Sequence, residues 1–302
     1  MTCDLDSTAI PGKTFVFGCT GFVGKALLNA LRVLYPDTHG SSLKNTGNHY
    51  YVNFLNPDIS HLNLAQQGYT SAVICSAITS VEQCEKDPDV SSKVNIYGTL
   101  EIIRQLINLG IKPVFLSSDY VFDGQTGNYT DTSAVNPINL YGRQKAAVES
   151  EIPSLCGNNF LILRLSKLYS IESDSFLQPI INNLLIGKQM SAAYDQIFSP
   201  TLIDDVIRVL LLLLQDNCSG IFNVCAPEAL SRYDIALQIA HACNVSTDLI
   251  RRISIDNMRE PFRRPHNTSM VCNKLGSIVN YPFSSFASAI QSTVNHRMQN
   301  HV

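Results

Sequence analysis

The sequence has no tryptophan, no C-x-x-C pair and no hydrophobic run long enough to cross a bilayer. Its most apolar stretch, Val206 to Leu214, contains Arg208 and is far shorter than the roughly 20 residues of a transmembrane helix. Residues 1–14 have no apolar core of signal-peptide length, and their first charges are acidic. A formal net charge of -3 also excludes the basic excess typical of nucleic-acid-binding proteins. We therefore expect a cytoplasmic protein that binds neither membranes nor nucleic acid.

Cysteine is present but in a pattern that argues against disulfides and metal. The chain has nine cysteines, an odd number, and several lie within apolar runs. Free thiols in a reducing compartment suit this usage. None of the seven histidines falls into ligand spacing with a cysteine pair, so we expect no metal site. At 302 residues the chain can bury a substantial core without either device.

A glycine-rich turn near the N-terminus follows a short β-prone run, residues 14–17, and precedes a stretch with helical apolar spacing. Glycines let the backbone approach a pyrophosphate, and the N-terminus of the helix supplies N–H groups and a positive dipole end. A tight turn without a ligand is the alternative. The predicted cofactor contacts in this turn are Gly18, Thr20, Gly21, Phe22, Val23 and Gly24.

Strands that alternate with helices continue along the chain and predict an α/β fold. A long helix is expected from about Val90 to Leu109. Four further strands are expected within Thr38–Leu43, within His49–Leu55, at Ala72–Ala77, and beginning at Pro113–Leu116. The fold class predicted is a Rossmann-type, doubly wound parallel sheet, whose ligands lie beyond the carboxyl ends of the strands.

The end of the second predicted strand bears on cofactor choice. No Asp or Glu stands there to bind a ribose 2′-hydroxyl, as NAD-preferring folds require. Ser41, Ser42 and Lys44 occupy the position instead. A cation and hydroxyls tolerate a 2′-phosphate, so we expect NADPH as the cofactor, with NADH as the alternative. For Lys44 itself, the alternative is a solvated loop lysine that binds no ligand.

Tyr141 and Lys145 are four residues apart, a spacing that puts both on one face of a helix. A nearby cation favours the phenolate and so makes tyrosine a better proton donor. Ser117 and Ser118 stand at the end of the fifth predicted strand. A hydroxyl, a tyrosine and a lysine from these positions can converge on one carbonyl oxygen.

Several passages together resemble a known family, the extended short-chain dehydrogenase/reductases, in their dTDP-4-dehydrorhamnose reductase (RmlD-like) branch. The G-x-x-G-x-x-G spacing is typical of the extended type. The Tyr-Val-Phe-Asp-Gly run is typical of the RmlD-like branch. The passages are FGCTGFVG (17–24), VICSAITSVEQCEKDPDVSSKVN (73–95), LSSDYVFDG (116–124), NYTDTSAVNPINLYGRQKAAVE (128–149), LILRLSKLYS (161–170), DQIFSPTLIDD (195–205), GIFNVCAPEALSRYDIA (220–236) and RRPHNTSM (263–270).

The resemblance implies specific site residues. The catalytic residues of the family carry over onto Ser118, Tyr141 and Lys145, of which the last two also contact the cofactor. Further cofactor contacts are Ser76, Ala77, Ile78 and, at a position where relatives usually have Asp, Asn53. Substrate contacts are Ser80, Val81, Asp119, Val121, Phe122 and Arg264. Gln144 departs from the Ser or Thr that usually precedes the catalytic lysine.

The resemblance also implies two domains. Residues 1–165 plus 199–226 would form the NAD(P)-binding Rossmann domain, and 166–198 plus 227–302 a smaller C-terminal substrate-binding domain. Five arginines, at positions 251, 252, 259, 263 and 264, crowd the second domain. Guanidinium groups suit a diphosphate, although a solvated basic surface is the alternative for those other than Arg264.

The activity implied is NAD(P)H-dependent reduction of the 4-keto group of a nucleotide-diphosphate 4-keto-6-deoxy sugar, in deoxysugar and cell-surface polysaccharide biosynthesis. A homodimer is compatible with this family. A combined epimerase and reductase, as in GDP-fucose synthases, is less well supported, because Asp119 rather than Cys follows Ser118 and no His lies between His61 and His241. The alternative from another class is a non-catalytic NADP-binding regulatory subunit resembling methionine adenosyltransferase subunit beta.

Overall fold

The computed structural model describes residues 12–44, 49–172, 175–258 and 262–300, with side chains to residue 295. The N-terminal stretch 1–11, including Cys3, and Arg259 of the arginine cluster lie outside the described residues. The strands are β1 Lys13–Phe17, β2 Gly40–Ser42, β3 Tyr50–Tyr51, β4 Tyr69–Ile74, β5 Lys112–Ser118, β6 Leu161–Leu165, β7 Leu168–Tyr169, β8 Met190–Ala193, β9 Ile197–Phe198, β10 Thr201–Leu202, β11 Gly220–Val224, β12 Leu230–Ser231 and β13 Ile250–Ile253. The α-helices are α1 Phe22–Leu34, α2 Val81–Lys86, α3 Pro88–Ser92, α4 Thr99–Asn108, α5 Leu140–Cys156, α6 Leu177–Leu185, α7 Ile203–Gln215, α8 Arg232–Ala242, α9 Asn273–Ile278 and α10 Phe286–Asn300.

A seven-stranded sheet has the strand order β11-β6-β5-β4-β1-β2-β3. Strand β1 pairs in parallel with both β2 and β4, and the pairings β2–β3 and β4–β5 are parallel as well. Helix α1 connects β1 to β2, and helices α2 to α4 connect β4 to β5, as is usual between parallel strands. The predicted fold class, a Rossmann-type doubly wound α/β sheet, is confirmed.

The predicted strands are right in order and inexact in length. Strand β2 lies within the predicted range, and β5 runs on to Ser118. The third strand, predicted over residues 49–55, comprises only Tyr50–Tyr51. It ends early because the chain turns at Asn53, whose side-chain oxygen accepts a hydrogen bond from the Leu55 N–H at 2.9 Å. Such local side-chain bonds compete with strand pairing.

The long helix predicted from about Val90 to Leu109 consists of α3 and α4 with a π-helical segment, Lys93–Gly98, between them. Gly98 ends this segment in close contact with the Phe54 carbonyl. A Cβ built at Gly98 would lie 2.0 Å from that oxygen, so only glycine fits there.

The described residues form two compact units. The first contains those of 1–117 together with Arg143–Leu163 and Ile207–Phe222. Its core joins aromatic residues of β1 and β5 to aliphatic residues of α4; Phe15 and Phe17, for example, meet edge to face at 4.9 Å between ring centroids. Helix α1 adds Leu27, Leu28 and Leu31 on its buried face.

The second unit contains Ser118–Gly142, Arg164–Val206 and the described residues from 223 onward. Its core packs α6, α8 and α10 around Tyr169 and Phe286, whose rings meet edge to face at 5.3 Å. Helix α8 begins with a capping box, because Ser231 and Asp234 each bond the other's backbone N–H. The predicted domain boundaries, 1–165 plus 199–226 and 166–198 plus 227–302, stay a prediction, since grouping by packing does not show which segments fold independently.

Candidate functional site

The glycine turn between β1 and α1 is shaped by close backbone contacts in the first unit. Gly18 has a φ of 79°, and its N–H and that of Cys19 both donate to the Ser41 carbonyl at 2.9 Å. A Cβ at Gly24 would lie 2.1 Å from the Gly18 carbonyl oxygen. The turn therefore requires glycine at both positions, Gly18 for its conformation and Gly24 for space.

This turn fits a dinucleotide pyrophosphate. Helix α1 starts after Gly21, has no side-chain cap and carries no acidic residue in its first turn. Unpaired N–H groups and the positive dipole end at such a terminus attract an anion. Thr20 and Phe22 are exposed beside it and Val23 is partly buried, and their contacts with a cofactor stay predictions.

Ser42, Lys44 and Asn53, the other residues predicted near the adenosine end, have local partners. The Ser42 hydroxyl donates to the Lys44 carbonyl at 2.6 Å. Its oxygen keeps lone pairs to accept a hydrogen bond, but its proton is engaged. Asn53 caps the turn after β3, as described above. Their roles as cofactor contacts stay predictions.

Past the end of β4, Ser76, Ala77 and Ile78 form a partly buried segment. The side chain of Asn95, in the π segment, accepts from the Ile78 N–H at 2.8 Å and donates to the Ile78 carbonyl at 2.9 Å. Two opposed bonds to one residue fix the backbone of this predicted cofactor segment. Ser80, predicted to contact substrate, caps α2 by accepting from the Gln83 N–H, and Val81 is buried.

Gln144 completes a buried network that the sequence did not reveal. Its side-chain oxygen accepts from Asn95 at 2.7 Å, and its amide nitrogen donates to the hydroxyls of Ser91 at 2.8 Å and Ser92 at 3.2 Å. We call Gln144, Asn95, Ser91, Ser92 and Ile78 the Gln144 network. It joins α5 to α3, the π segment and the end of β4. From sequence, Gln144 was only a departure from Ser or Thr, because its burial is a tertiary property.

Lys145 follows on α5 and is buried. Its ammonium donates to the Leu116 carbonyl at 2.8 Å and lies 4.6 Å from the centroid of the Phe115 ring. Burial lowers the pKa of Lys145 to about 8, although Cys75 and Glu149 act in the opposite direction. The lysine is therefore a positioned cation whose charge is easier to remove than usual.

In the second unit, Ser118 and Asp119 stand where β5 ends. The Ser118 hydroxyl donates to the Asp119 carboxylate at 3.0 Å, and Thr268 donates to the same carboxylate at 2.7 Å. The Ser166 hydroxyl lies 3.4 Å from it. We call Asp119 and these three hydroxyl residues the Asp119 cluster. Burial raises the pKa of Asp119 to about 6, against the hydrogen bonds and the charge of Lys167, which lower it.

Tyr141 lies at the start of α5, buried, with its ring 6.1 Å from that of Tyr120. Gly142 allows this approach, since a Cβ there would lie 2.1 Å from the Tyr120 carbonyl oxygen. Arg264 points a guanidinium nitrogen at the Tyr120 hydroxyl, 3.5 Å away. Thus Tyr141, Tyr120 and Arg264 are neighbours within this unit.

Arg264 also lines a cavity of about 490 Å³, together with Arg263, Phe262, His266, Asp123 and Asp256. Two guanidinium groups and an aromatic ring around one cavity suit a ligand that joins an anionic group, such as a diphosphate, to a planar nucleotide base. Val121 and Phe122, predicted to contact substrate, are fully buried, and Phe122 stacks on Tyr129 at 4.3 Å. This conformation gives their side chains no exposed surface, so their ligand contacts stay predictions.

Two kinds of feature are absent from the described part of the chain. No helix there is both long and apolar enough to cross a membrane. No group of three His, Cys, Asp or Glu side chains there is arranged to hold a metal ion.

A parallel sheet with a glycine turn between its first strand and first helix defines a Rossmann-type α/β protein. Residues 12–299 match the family described as "RmlD substrate binding domain", and the chain belongs to this family. The resemblance drawn from the sequence motifs is confirmed.

The chain is similar both to methionine adenosyltransferase subunits and to keto-sugar reductases. Methionine adenosyltransferase 2 subunit beta of Xenopus tropicalis is 28% identical over 287 residues, covering 90% of this chain and 84% of the relative. The dTDP-4-keto-6-deoxy-D-glucose reductase of Streptomyces niveus is 26% identical over 200 residues, covering 66% and 69%. The crystal structure of dTDP-4-dehydrorhamnose reductase from Bacillus anthracis str. Ames in complex with NADP has a TM-score of 0.81 and 24% identity, covering 95% of this chain and 99% of that one. At this identity the structural likeness shows the fold alone.

Proposed function

We propose that the chain is an NAD(P)H-dependent oxidoreductase that reduces the 4-keto group of a nucleotide-diphosphate 4-keto-6-deoxy sugar. The observation that carries the proposal is the glycine turn at Gly18–Gly24, whose backbone fits a dinucleotide pyrophosphate and excludes any side chain at Gly24. NADPH is the expected cofactor, with NADH as the alternative. The complexes of the Bacillus anthracis reductase with NADP and of the Streptomyces venezuelae protein DesIV with NAD support this choice.

When bound, the reduced nicotinamide supplies the hydride that converts the ketone to an alcohol. Tyr141 donates the proton that the carbonyl oxygen gains in the same step. Lys145, one turn further along α5, favours the ionised phenol through its charge and holds the nicotinamide ribose. The hydrogen bond from Lys145 to the Leu116 carbonyl supports this role, since it fixes the ammonium in place.

Ser118 hydrogen-bonds the same carbonyl oxygen and stabilises the negative charge that develops there. In the present structure the Ser118 proton points at Asp119. The hydroxyl must therefore turn from Asp119 to the substrate, a rotation that becomes easier when Asp119 is protonated, because a neutral carboxyl group is a weaker acceptor than a carboxylate. Asp119 thus sets the availability of Ser118 as a donor.

The test is Tyr141→Phe. This change removes the proton donor and keeps the ring, so kcat should fall by roughly two to four orders of magnitude, the usual contribution of a general acid. NADPH affinity, measured by fluorescence titration on the same preparation, should stay nearly unchanged. Tyr97→Phe is the matched control, because Tyr97 is 67% exposed and this substitution should alter neither quantity. An unchanged kcat in Tyr141→Phe would remove Tyr141 from the mechanism.

A second candidate is the non-catalytic regulatory subunit. The relative from Xenopus tropicalis favours it, because that protein is named as a subunit of methionine adenosyltransferase and aligns over 90% of this chain. The two functions separate in one experiment on the wild-type chain. NADPH consumption with a panel of dTDP-, UDP- and GDP-linked 4-keto sugars supports the reductase. No turnover, combined with capture of a methionine adenosyltransferase catalytic subunit, supports the regulatory subunit.

A further inference from the structure

Two cysteines that are far apart in sequence meet in the second unit. Cys225 directly follows β11, and Cys272 directly precedes α9. Their sulfur atoms lie 3.2 Å apart. No disulfide joins the cysteines that the structure describes, so this is a pair of thiols in contact.

The local backbone holds this pair together. The Cys225 N–H donates to the Cys272 sulfur at 3.3 Å, and the Cys272 thiol donates to the Cys225 carbonyl at 3.4 Å. The Cys225 thiol lies 3.4 Å from the Met270 carbonyl. A disulfide needs the two sulfurs about 2.05 Å apart, so closing the bond moves them together by only about 1.2 Å.

The two thiols differ in access. Cys225 is 1% exposed, whereas Cys272 is partly exposed. Both line a cavity of about 510 Å³, with Met270, Tyr281 and Phe283 on its wall. A small oxidant that enters this cavity therefore meets Cys272 first and Cys225 behind it.

We propose that Cys225 and Cys272 form a dithiol modification site that a hydroperoxide oxidises to an intramolecular disulfide. In the first step the Cys272 thiolate attacks a peroxide oxygen, the O–O bond breaks, and a sulfenic acid and hydroxide result. In the second step the Cys225 sulfur attacks the sulfenic sulfur, the S–O bond breaks, and water leaves. In total, two thiols and hydrogen peroxide give one disulfide and two waters.

Buried cysteines are more often inert core residues than reactive ones. The contact between the two sulfurs distinguishes Cys225 and Cys272 from such inert cysteines. The adjacent Cys272 thiol and burial raise the pKa of Cys225, which keeps it from reacting alone. The order of the two steps follows, because only the more accessible Cys272 can start the reaction.

The test exposes the reduced wild-type chain to hydrogen peroxide, blocks the remaining thiols by alkylation and maps the peptides by mass spectrometry. We expect a linkage between the Cys225 and Cys272 peptides as the main product. We also expect an increase in melting temperature of about 5 °C that dithiothreitol reverses, since the bond closes a long loop. Both effects should be absent in Cys272→Ser.

Cys243→Ser is the matched control, because Cys243 is a buried cysteine outside the pair, and this variant should still form the linkage. If a serine variant at the pair fails to fold, the wild-type peptide map decides alone. A Cys272 that is oxidised to a sulfinic acid without cross-linking would overturn the proposal. So would a main product that links other cysteines or two chains.

Discussion

The Gln144 network of the first unit and the Asp119 cluster of the second are both buried sets of hydrogen-bonded side chains beside predicted catalytic residues. The Gln144 network contains amides, hydroxyls and backbone groups, and the Cys84 thiol that touches it has a pKa that burial raises, so the network stays neutral at acid pH. The Asp119 cluster surrounds one carboxyl group with hydroxyl donors. Two networks of similar construction should therefore respond very differently to pH.

The largest expected effect is the pH dependence that Asp119 gives to the free energy of unfolding. The pKa of Asp119 rises from 3.8 to about 6 on folding. Its contribution to stability is therefore fully present below pH 3.8 and is lost as the pH rises through about 6. The full loss corresponds to about 3 kcal/mol. Urea unfolding of wild type and Asp119→Asn across this range measures it, because the asparagine cannot titrate.

The difference between the two proteins isolates Asp119 from other groups that titrate in the same range. The wild-type free energy of unfolding should fall relative to that of Asp119→Asn as the pH rises. A difference that is flat with pH would mean that folding leaves the pKa of Asp119 unchanged, which would contradict the prediction.

The next effect is in the Gln144 network. Gln144→Leu keeps the size of the side chain but leaves one Asn95 N–H without its acceptor, which should cost about 2 kcal/mol of unfolding free energy. This loss should be the same across the pH range. Gln144→Glu sharpens the comparison, because it places a carboxyl group in the neutral network. That variant should lose stability as pH rises, with the same sign as Asp119. If the free energy of unfolding of Gln144→Leu and that of Gln144→Glu depended on pH in the same way, the contrast between the two networks would be contradicted.

A smaller effect concerns substrate binding in the second unit. Arg264 lines the cavity and lies beside Tyr120. If it pairs with the substrate diphosphate, Arg264→Ala should raise KM about tenfold or more while kcat falls less, because that contact exists in both ground and transition states. Arg104→Ala, at an exposed arginine of the first unit, controls for loss of charge. Equal kinetics of wild type and Arg264→Ala would refute the pairing.

The smallest effect concerns cofactor preference in the first unit. Wild type should use NADPH at least as well as NADH. Ser42→Asp adds a carboxylate that accepts from a ribose 2′-hydroxyl and repels a 2′-phosphate, so the preference should shift severalfold toward NADH. Ser42→Ala separates the added charge from the lost hydrogen bond to the Lys44 carbonyl. A wild type that strongly prefers NADH would show that residues 38–44 were misinterpreted.

The sequence was informative where a local rule decides the structure. Gly18 and Gly24 could be recognised because a turn of this kind needs glycine at fixed spacing. The predicted length of β3 was wrong because the hydrogen bond from the Leu55 N–H to the Asn53 side chain outweighed the strand propensity of the neighbouring residues. The partners of Gln144 and the contact of Cys225 with Cys272 could not be predicted, since both depend on which distant segments fold against each other. Family motifs likewise did not reveal that Val121 and Phe122 are fully buried.

The π segment Lys93–Gly98 has a consequence for reading the amphipathic pattern of this part of the chain. A π turn accommodates one more residue than an α turn, and each α residue turns the helix by about 100°. Residues of α3 and α4 therefore follow two helical phases that differ by one position. A helical wheel that uses one α-helical period for all of residues 88–108 therefore places the residues of α3 or of α4 on the wrong face of the helix. The segment acts as a one-residue phase shift, which lets Asn95 turn inward to Ile78 while α4 keeps its own apolar face on the core.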